Sequence, residues 1–482
     1  MKGMFKMKKA IALVLALTMV FSLSACGNSA PAASSGSSAS SAASTSQDAP
    51  AMDTAQADAD LDAMLTDADA PVSGYSVMAF KDGELCYERT GGYQYLDAEN
   101  DANNIAFSKA TRFRTASISK VFVGIGLMRL VEAGKLDLDQ DVSDYLGFSL
   151  RNPSYPDTPI TCRLLMSHTS SLRDGSVYSI APEDSIQEFF KADGKYWLDG
   201  EHFANSDDGV DRAPGVYFAY CNLNYGVLGT VIECVSGQRF DEYMKQNVLE
   251  PMGLKASYNP GDFTAEDLKD LSPIYQKQTD EVWDKSGPFV AQIDDFQGQT
   301  QDRNKTLITN PDIGTDTVVD LADYQIGTNG TLFSPQGGLR ISTAEMQIAI
   351  QMFLNDGKIG DTVILTPESV DTMFKPCWTY DGSNGDTYDG LMCAYGPAIQ
   401  TMTSQYGDRF VEDRDIVLSG HFGEAYGLLA GMFMDRDSGT AIYYVMNGMG
   451  GPEDENYGQY SGMYRWEEKF CTALLNNIFP EL

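Results

Sequence analysis

The run from Val121 to Val131 reads Val-Phe-Val-Gly-Ile-Gly-Leu-Met-Arg-Leu-Val and is apolar almost all round. A helix with that pattern has no face to leave in water, so it has to be buried between layers of a large domain. The chain has 482 residues, enough for two lobes and a sizeable core. Gly134 stands just beyond the run as a C-terminal cap.

The head of this helix is Phe113-Arg114-Thr115-Ala116-Ser117-Ile118-Ser119-Lys120. Ser-x-x-Lys on a helix puts the hydroxyl and the amine one turn apart on one side. A serine hydroxyl is a poor nucleophile until a base takes its proton, and a lysine becomes that base once burial lowers its pKa. The helix start adds an unpaired backbone N–H and a positive dipole end, both suited to a developing oxyanion. Chance matches to so short a pattern are common, so the case rests on partners elsewhere in the chain.

Residues 1–25 read as a targeting segment. Lys2, Lys6, Lys8 and Lys9 precede an apolar stretch too short to span a bilayer comfortably, and Leu23-Ser24-Ala25-Cys26 follows. This ending resembles a bacterial lipoprotein signal, which implies cleavage before Cys26, lipidation of its thiol, and anchoring on the extracytoplasmic face of the cell membrane. Without the leader, 30 basic residues face 68 acidic ones, a net charge of −38. Such a surface suits solubility outside a cell and excludes nucleic acid as a partner. Seven cysteines remain beside Cys26, with no Cys-x-x-Cys spacing, so no disulfide pairing is assigned. Residues 26–70 are mainly Ala, Ser and Asp with no Lys or Arg, the composition of a disordered tether.

Folded sequence is expected over residues 71–482. Gly74 to Lys81 and Glu84 to Gly92 flank Asp82-Gly83, a strong hairpin signal. Leu164–Leu172 ends a short helix in a polar turn. One clear helix is expected at Phe240–Leu249 and another at Thr343–Leu354, capped by Ser342 with Glu345 three residues on. Strands are expected at Ile416–Ser419, Tyr426–Met434 and Thr440–Asn447, and an amphipathic helix at Arg465–Ile478. Strands at both chain ends imply an α/β (α+β) fold. One mostly antiparallel sheet is built from both termini and flanked by helices, with a mainly helical lobe inserted at roughly 165–335.

Two further motifs stand out. Tyr220-Cys221-Asn222 puts a phenol and an amide two residues apart, which face the same way only in an extended or turn segment. His421-Phe422-Gly423 precedes a strand, and its glycine permits close backbone approach. With three histidines and no His-Glu-x-x-His, no catalytic zinc is expected, and no Gly-rich phosphate loop is seen. No cofactor is called for.

Taken together, the Ser-x-x-Lys, Tyr-x-Asn and His-x-Gly motifs, in that order, resemble the serine β-lactamase and penicillin-binding superfamily, specifically its class C β-lactamase-like group. The resemblance covers nearly all of residues 71–482. It includes the stretch from Leu130 to Leu138, Leu164–Leu172, Pro251-Met252-Gly253-Leu254, Gly337-Gly338-Leu339 and Asn447-Gly448.

The resemblance implies that Ser117 is acylated, that Lys120 shares or takes its proton, and that Tyr220 relays a proton to the leaving group. It implies that Asn222 holds a substrate amide, and that the N–H groups of Ser117 and of Glu424, after Gly423, form the oxyanion hole. His421 replaces the third-motif lysine, and being only partly charged near neutral pH it grips a substrate carboxylate less firmly. Arg409 or Arg414 is a candidate for the missing positive charge. Lys285-Ser286-Gly287 also fits the lysine form, but Pro288 follows it and no strand pattern surrounds it. His168 is expected to bond backbone in its turn. The reading is an extracytoplasmic serine hydrolase for small-molecule or peptide substrates, cleaving an amide or ester of the D-amino-acid cell-wall type. An esterase, a β-lactamase, or a penicillin- or peptidoglycan-binding protein with little turnover are the alternatives.

Overall fold

Two strands from opposite ends of the chain lie side by side at the centre of the sheet. The computed structural model describes residues 51–310, 315–449 and 457–482. The leader at 1–25, Cys26 and the first part of the expected tether lie outside the described residues. Strand β1 (Gly74–Lys81) pairs antiparallel with β2 (Glu84–Tyr95) on one side. On the other it pairs with the strand Thr440–Asn447, in a register that sets Val77 against Tyr444. The sheet continues outward through Leu428–Asp435, Leu418–Ala425, Gln400–Met402, Ala394–Tyr395 and Trp378–Thr379, all antiparallel, and ends at its far edge with Ile105–Ala106. Asp82 and Gly83 both adopt positive φ, as a two-residue hairpin turn requires.

Both faces of the sheet are covered, so its central strands read as unbroken apolar runs rather than alternating ones. Met78 and Phe80 point to one side, where they meet the layer built on the helix α2 (Ser119–Glu132). Tyr75, Val77 and Ala79 point to the other, where Trp466, Phe470 and Leu474 of the helix Arg465–Ile478 cover them. Helix α2 is buried along nearly its whole length, as an all-round apolar pattern demands. The expected capping box of Ser342 and Glu345 is present at the head of the helix Thr343–Leu354.

The expectation of a disordered tether over residues 26–70 fails from Thr54 onward. Residues Thr54–Ala63 form a helix, α1, that lies on the same face as Arg465–Ile478. Ala57, Leu61 and Met64 stand at i, i+4 and i+7 and form one buried stripe. The aspartates that look like solvating charge are spent locally. Asp53 caps the helix, Asp58 accepts from Tyr87 at 2.7 Å, and Asp62 accepts from Tyr75 at 2.9 Å and pairs with Arg89.

The inserted lobe holds helices, and it also contains two small antiparallel sheets that the sequence pattern does not mark. One joins Ile274–Thr279, Val282–Trp283 and Phe289–Ile293; the other is the hairpin of Lys305–Asn310 and Thr315–Asp320. The expected helix at Phe240–Leu249 is an α-helix over Phe240–Met244 that widens into a π turn over Lys245–Leu249. A buried helix at Leu223–Ser236 follows the Tyr-x-Asn motif, with Gly226 and Gly229 inside it. A β-carbon on Gly226 would sit 2.7 Å from Thr331, so the glycine exists for packing.

Candidate active site

Ser117 sits in a single 3-10 turn, Ala116–Ile118, between the short strand Arg112–Arg114 and helix α2. That strand is held by Arg340–Ser342 in antiparallel pairing, and Thr115 N–H donates to Leu339 O at 2.8 Å. The Gly337-Gly338-Leu339 stretch therefore clamps the approach to the serine. Ala116 has φ +48°, a conformation an L-residue adopts at a cost, immediately before the nucleophile.

The strand Leu418–Ala425 carries the third motif past this turn. Its start and end differ from the expected Ile416–Ser419, because Gly420 and Gly423 continue the strand instead of ending it. A β-carbon on Gly423 would lie 2.6 Å from Thr115 O, so only glycine lets the strand touch the serine turn. A cavity of about 810 Å³ opens there, with Ser117, Tyr220, Asn222, His421, Gly423 and Glu424 in its wall.

Lys120 is fully buried, and its three hydrogen-bond partners explain its chemistry. Nζ lies 2.9 Å from each of Ser117 Oγ, Asn222 Oδ1 and Gln336 O. The last two atoms can only accept. A neutral amine has two N–H bonds to give them, which leaves its lone pair for the serine hydroxyl. Burial pushes the Lys120 pKa down from its ordinary 10.5 to about 7, partly opposed by the charge of Asp174. The amine is thus available as a base near neutral pH.

Tyr220 lies over the lysine, with Nζ 4.9 Å from its ring centre, and shares the cavity wall with Ser117. Burial holds the phenol well above its ordinary pKa, with Ser117 pulling the other way, so Tyr220 keeps its proton. Its ring stacks on His168 at 4.2 Å between centroids. His168 Nδ1 accepts from Cys221 N–H at 3.1 Å, so this histidine braces the Tyr-x-Asn turn through backbone as expected.

Asp174 was not singled out in the sequence, although it follows directly on the Leu164–Leu172 turn. Its carboxylate accepts from Asn222 N–H and Asn222 Nδ2, both at 2.9 Å, and from Leu223 N–H at 2.8 Å. It caps the helix Leu223–Ser236 from outside and fixes the Asn222 amide so that Oδ1 faces the lysine. Asn222 is therefore engaged at both ends within the protein.

Two sequence expectations about charge are corrected. His421 lines the cavity, but Nε2 lies 2.5 Å from Tyr395 Oη and Nδ1 lies 2.5 Å from Phe422 O. With Nδ1–H donating to the carbonyl, Nε2 accepts from the phenol. Burial drives the imidazole pKa down to about 3, so His421 is neutral rather than partly charged. Arg409 and Arg414 are not in the cavity wall. Arg409 binds Ser404 O, Glu412 O and Asp415, and Arg414 binds Leu475 O and Phe479 O. Lys285 lies in an exposed turn, pairs with Asp69 and is not in the cavity wall, although, contrary to expectation, the strands Val282–Trp283 and Phe289–Ile293 do flank it.

A family model described as Beta-lactamase matches residues 59–462. The chain belongs to the Beta-lactamase family. Its β-lactamase fold is that of a family of serine hydrolases, and the three motifs meet around Ser117 within the matched span. The chain is similar to Protein flp of Staphylococcus aureus (strain N315), 25% identical over 251 residues, which cover 49% of this chain and 48% of that protein. It thus spans about half the length of the curated relatives it matches. Among solved structures, the octameric penicillin-binding protein homologue from Pyrococcus abyssi aligns with a TM-score of 0.57 at 22% identity, over 89% of this chain and 79% of that one. The Beta-lactamase/D-alanine Carboxypeptidase from Yersinia pestis aligns at 0.56 and 16% identity, over 88% and 99%. These structural likenesses concern the fold of the Beta-lactamase family.

Proposed function

We propose that this protein forms an acyl-enzyme on Ser117 and cleaves an amide or ester of a D-amino-acid, cell-wall-type peptide at the extracytoplasmic face of a membrane. The observation that carries the reading is the lysine with two acceptor-only partners and a serine as its third. Lys120 takes the Ser117 proton as Oγ attacks the carbonyl carbon. The oxyanion is met by the N–H groups of Ser117 and Glu424. Tyr220, still protonated, gives its proton to the leaving amine or alcohol and regains one from Lys120, so the net transfer runs from serine to leaving group. Water then attacks the ester by the same route in reverse. Anchoring through Cys26 and the 1–25 leader complete the proposal, supported by the sequence alone.

A fluorophosphonate or labelled penicillin should modify the wild type and not Ser117→Ala; equal labelling of both would sink the acyl-enzyme. Cys26→Ala should release the protein from the membrane fraction. The neutral His421 favours a second reading, an esterase whose substrate carries no carboxylate. Burst kinetics on a D-Ala-D-Ala peptide against a p-nitrophenyl ester separate the two.

A further inference from the structure

Tyr388 stands in the cavity wall, and the backbone that presents it is strained. Tyr388, Asp389 and Gly390 follow one another at φ +51°, +56° and +81°. The left-handed region is uncommon for residues with a side chain, and a bulky ring there is a genuine outlier. Such a turn persists only where its surroundings fix it. Leu391 N–H donates to Tyr388 O at 3.1 Å, and glycines from two other segments press on the turn. A β-carbon on Gly462 would lie 2.9 Å from Tyr388 O, and one on Gly407 would strike Asp389 O.

The same segment is tied to the approach to the Tyr-x-Asn motif. Phe218 N–H donates to Asn384 O at 3.0 Å, Asp386 N–H donates to Phe218 O at 2.9 Å, and the Tyr217 hydroxyl donates to Asp386 at 2.7 Å. The Tyr388 ring is thereby set against Tyr220, with centroids 6.3 Å apart and planes at 82°, and its hydroxyl points at Tyr220 O, 3.5 Å away. Yet Tyr388 remains 49% exposed, so its own burial is not what holds it over the cavity. Tyr220 hands its proton to the leaving group, which must therefore lie beside Tyr220 and within reach of this open ring.

We propose that Tyr388 is a specificity-determining residue for the leaving group, its ring forming the wall against which a departing amine or alcohol with a flat aromatic ring packs. This rests on the acyl-enzyme reading above and adds to it the class of leaving group, for amide and ester alike. Two aromatic rings in edge or offset contact attract beyond the area they bury, whereas a small aliphatic leaving group gains little from the same wall.

The test compares kcat/KM for phenyl acetate and hexafluoroisopropyl acetate, which share an acyl group and have leaving groups of similar acidity, each corrected for its hydroxide-catalysed rate. Wild type should favour the phenyl ester by about 3- to 10-fold, the worth of one aromatic contact. In Tyr388→Ala that ratio should fall to about one, and Tyr388→Phe, which keeps the ring, should retain it. The ratio of phenyl butanoate to phenyl acetate, which varies the acyl side alone, should stay within about twofold of wild type in both variants. Because each readout is a ratio within one preparation, loss of folded protein does not move it, and a residue that merely propped Tyr220 would slow both acetates alike. No phenyl preference in wild type, an unchanged ratio in Tyr388→Ala, its loss in Tyr388→Phe, or an equal shift on the acyl side would each overturn the assignment. Failure of a fluorophosphonate to label Ser117 would instead overturn the hydrolase reading.

Discussion

The buried lysine sets the pH at which the serine becomes reactive. An amine with a pKa of about 7 is roughly 90% neutral at pH 8, whereas one at the ordinary 10.5 is about 0.3% neutral, a difference of about 300-fold in available base. The drop costs the ammonium form about 5 kcal/mol relative to water, and the structure shows where that comes from: full burial, opposed in part by Asp174 and Cys221. The rate of fluorophosphonate labelling, followed from pH 5 to 10, should rise about tenfold per unit and level off with a half-maximum near 7. Lys120→Arg keeps a permanent cation at the same place and should slow labelling by about 10²- to 10⁴-fold across the range. Tyr220 cannot supply the same limb, since its phenol is held above its ordinary pKa. A half-maximum near 10, a flat profile, or normal labelling of Lys120→Arg would refute this account of the base.

Other consequences are open to direct measurement. Asp174→Asn removes the external cap of Leu223–Ser236; it should cost about 1–2 kcal/mol in denaturant melts and move the Lys120 limb to lower pH, because the charge that raised it is gone. Gly423→Ala drives a methyl to 2.6 Å from Thr115 O and should slow labelling by about 100-fold by prising the strand from the serine turn, visible as lost labelling in protein that still melts cooperatively. Leu61→Ala, in the segment that composition assigns to a tether, should cost about 2–4 kcal/mol. Glu467 has a folded pKa of about 8 against an ordinary 4.5, so its contribution is complete below 4.5 and is lost as pH rises through 8. Stability should therefore fall between pH 5 and 8 by a few kcal/mol, and Glu467→Gln should flatten that slope.

What could be read from the sequence depended on whether the signal was local. The Asp82-Gly83 turn, the Ser342–Glu345 cap and the helix Arg465–Ile478 are set by neighbours along the chain, and all three appear where the pattern places them. The helix Thr54–Ala63 was hidden because composition outweighed period: three apolar residues among many aspartates suffice when tyrosines and an arginine of β1 and β2 wait to receive the acids. The meeting of Ser117, Lys120, Tyr220 and Asn222 followed from motif order, yet the charge of His421 did not. Its neutrality comes from burial, and the partner that holds its Nε2, Tyr395, is 26 residues away on a strand separated from its own by Gln400–Met402. For the same reason Arg409 and Arg414 stand out by their closeness in sequence to His421, while the arginine that lines the cavity is Arg114, three residues before Ser117.

The acceptors that hold the Lys120 amine come from positions 102 and 216 residues further along the chain. Until both segments have docked, the amine is bathed in solvent, carries its proton, and leaves the hydroxyl beside it chemically quiet. Reactivity is thus conferred by completion of the tertiary structure and withdrawn by any opening that separates those segments. A chain still being made, or partly unravelled, would pass its neighbours without attacking them.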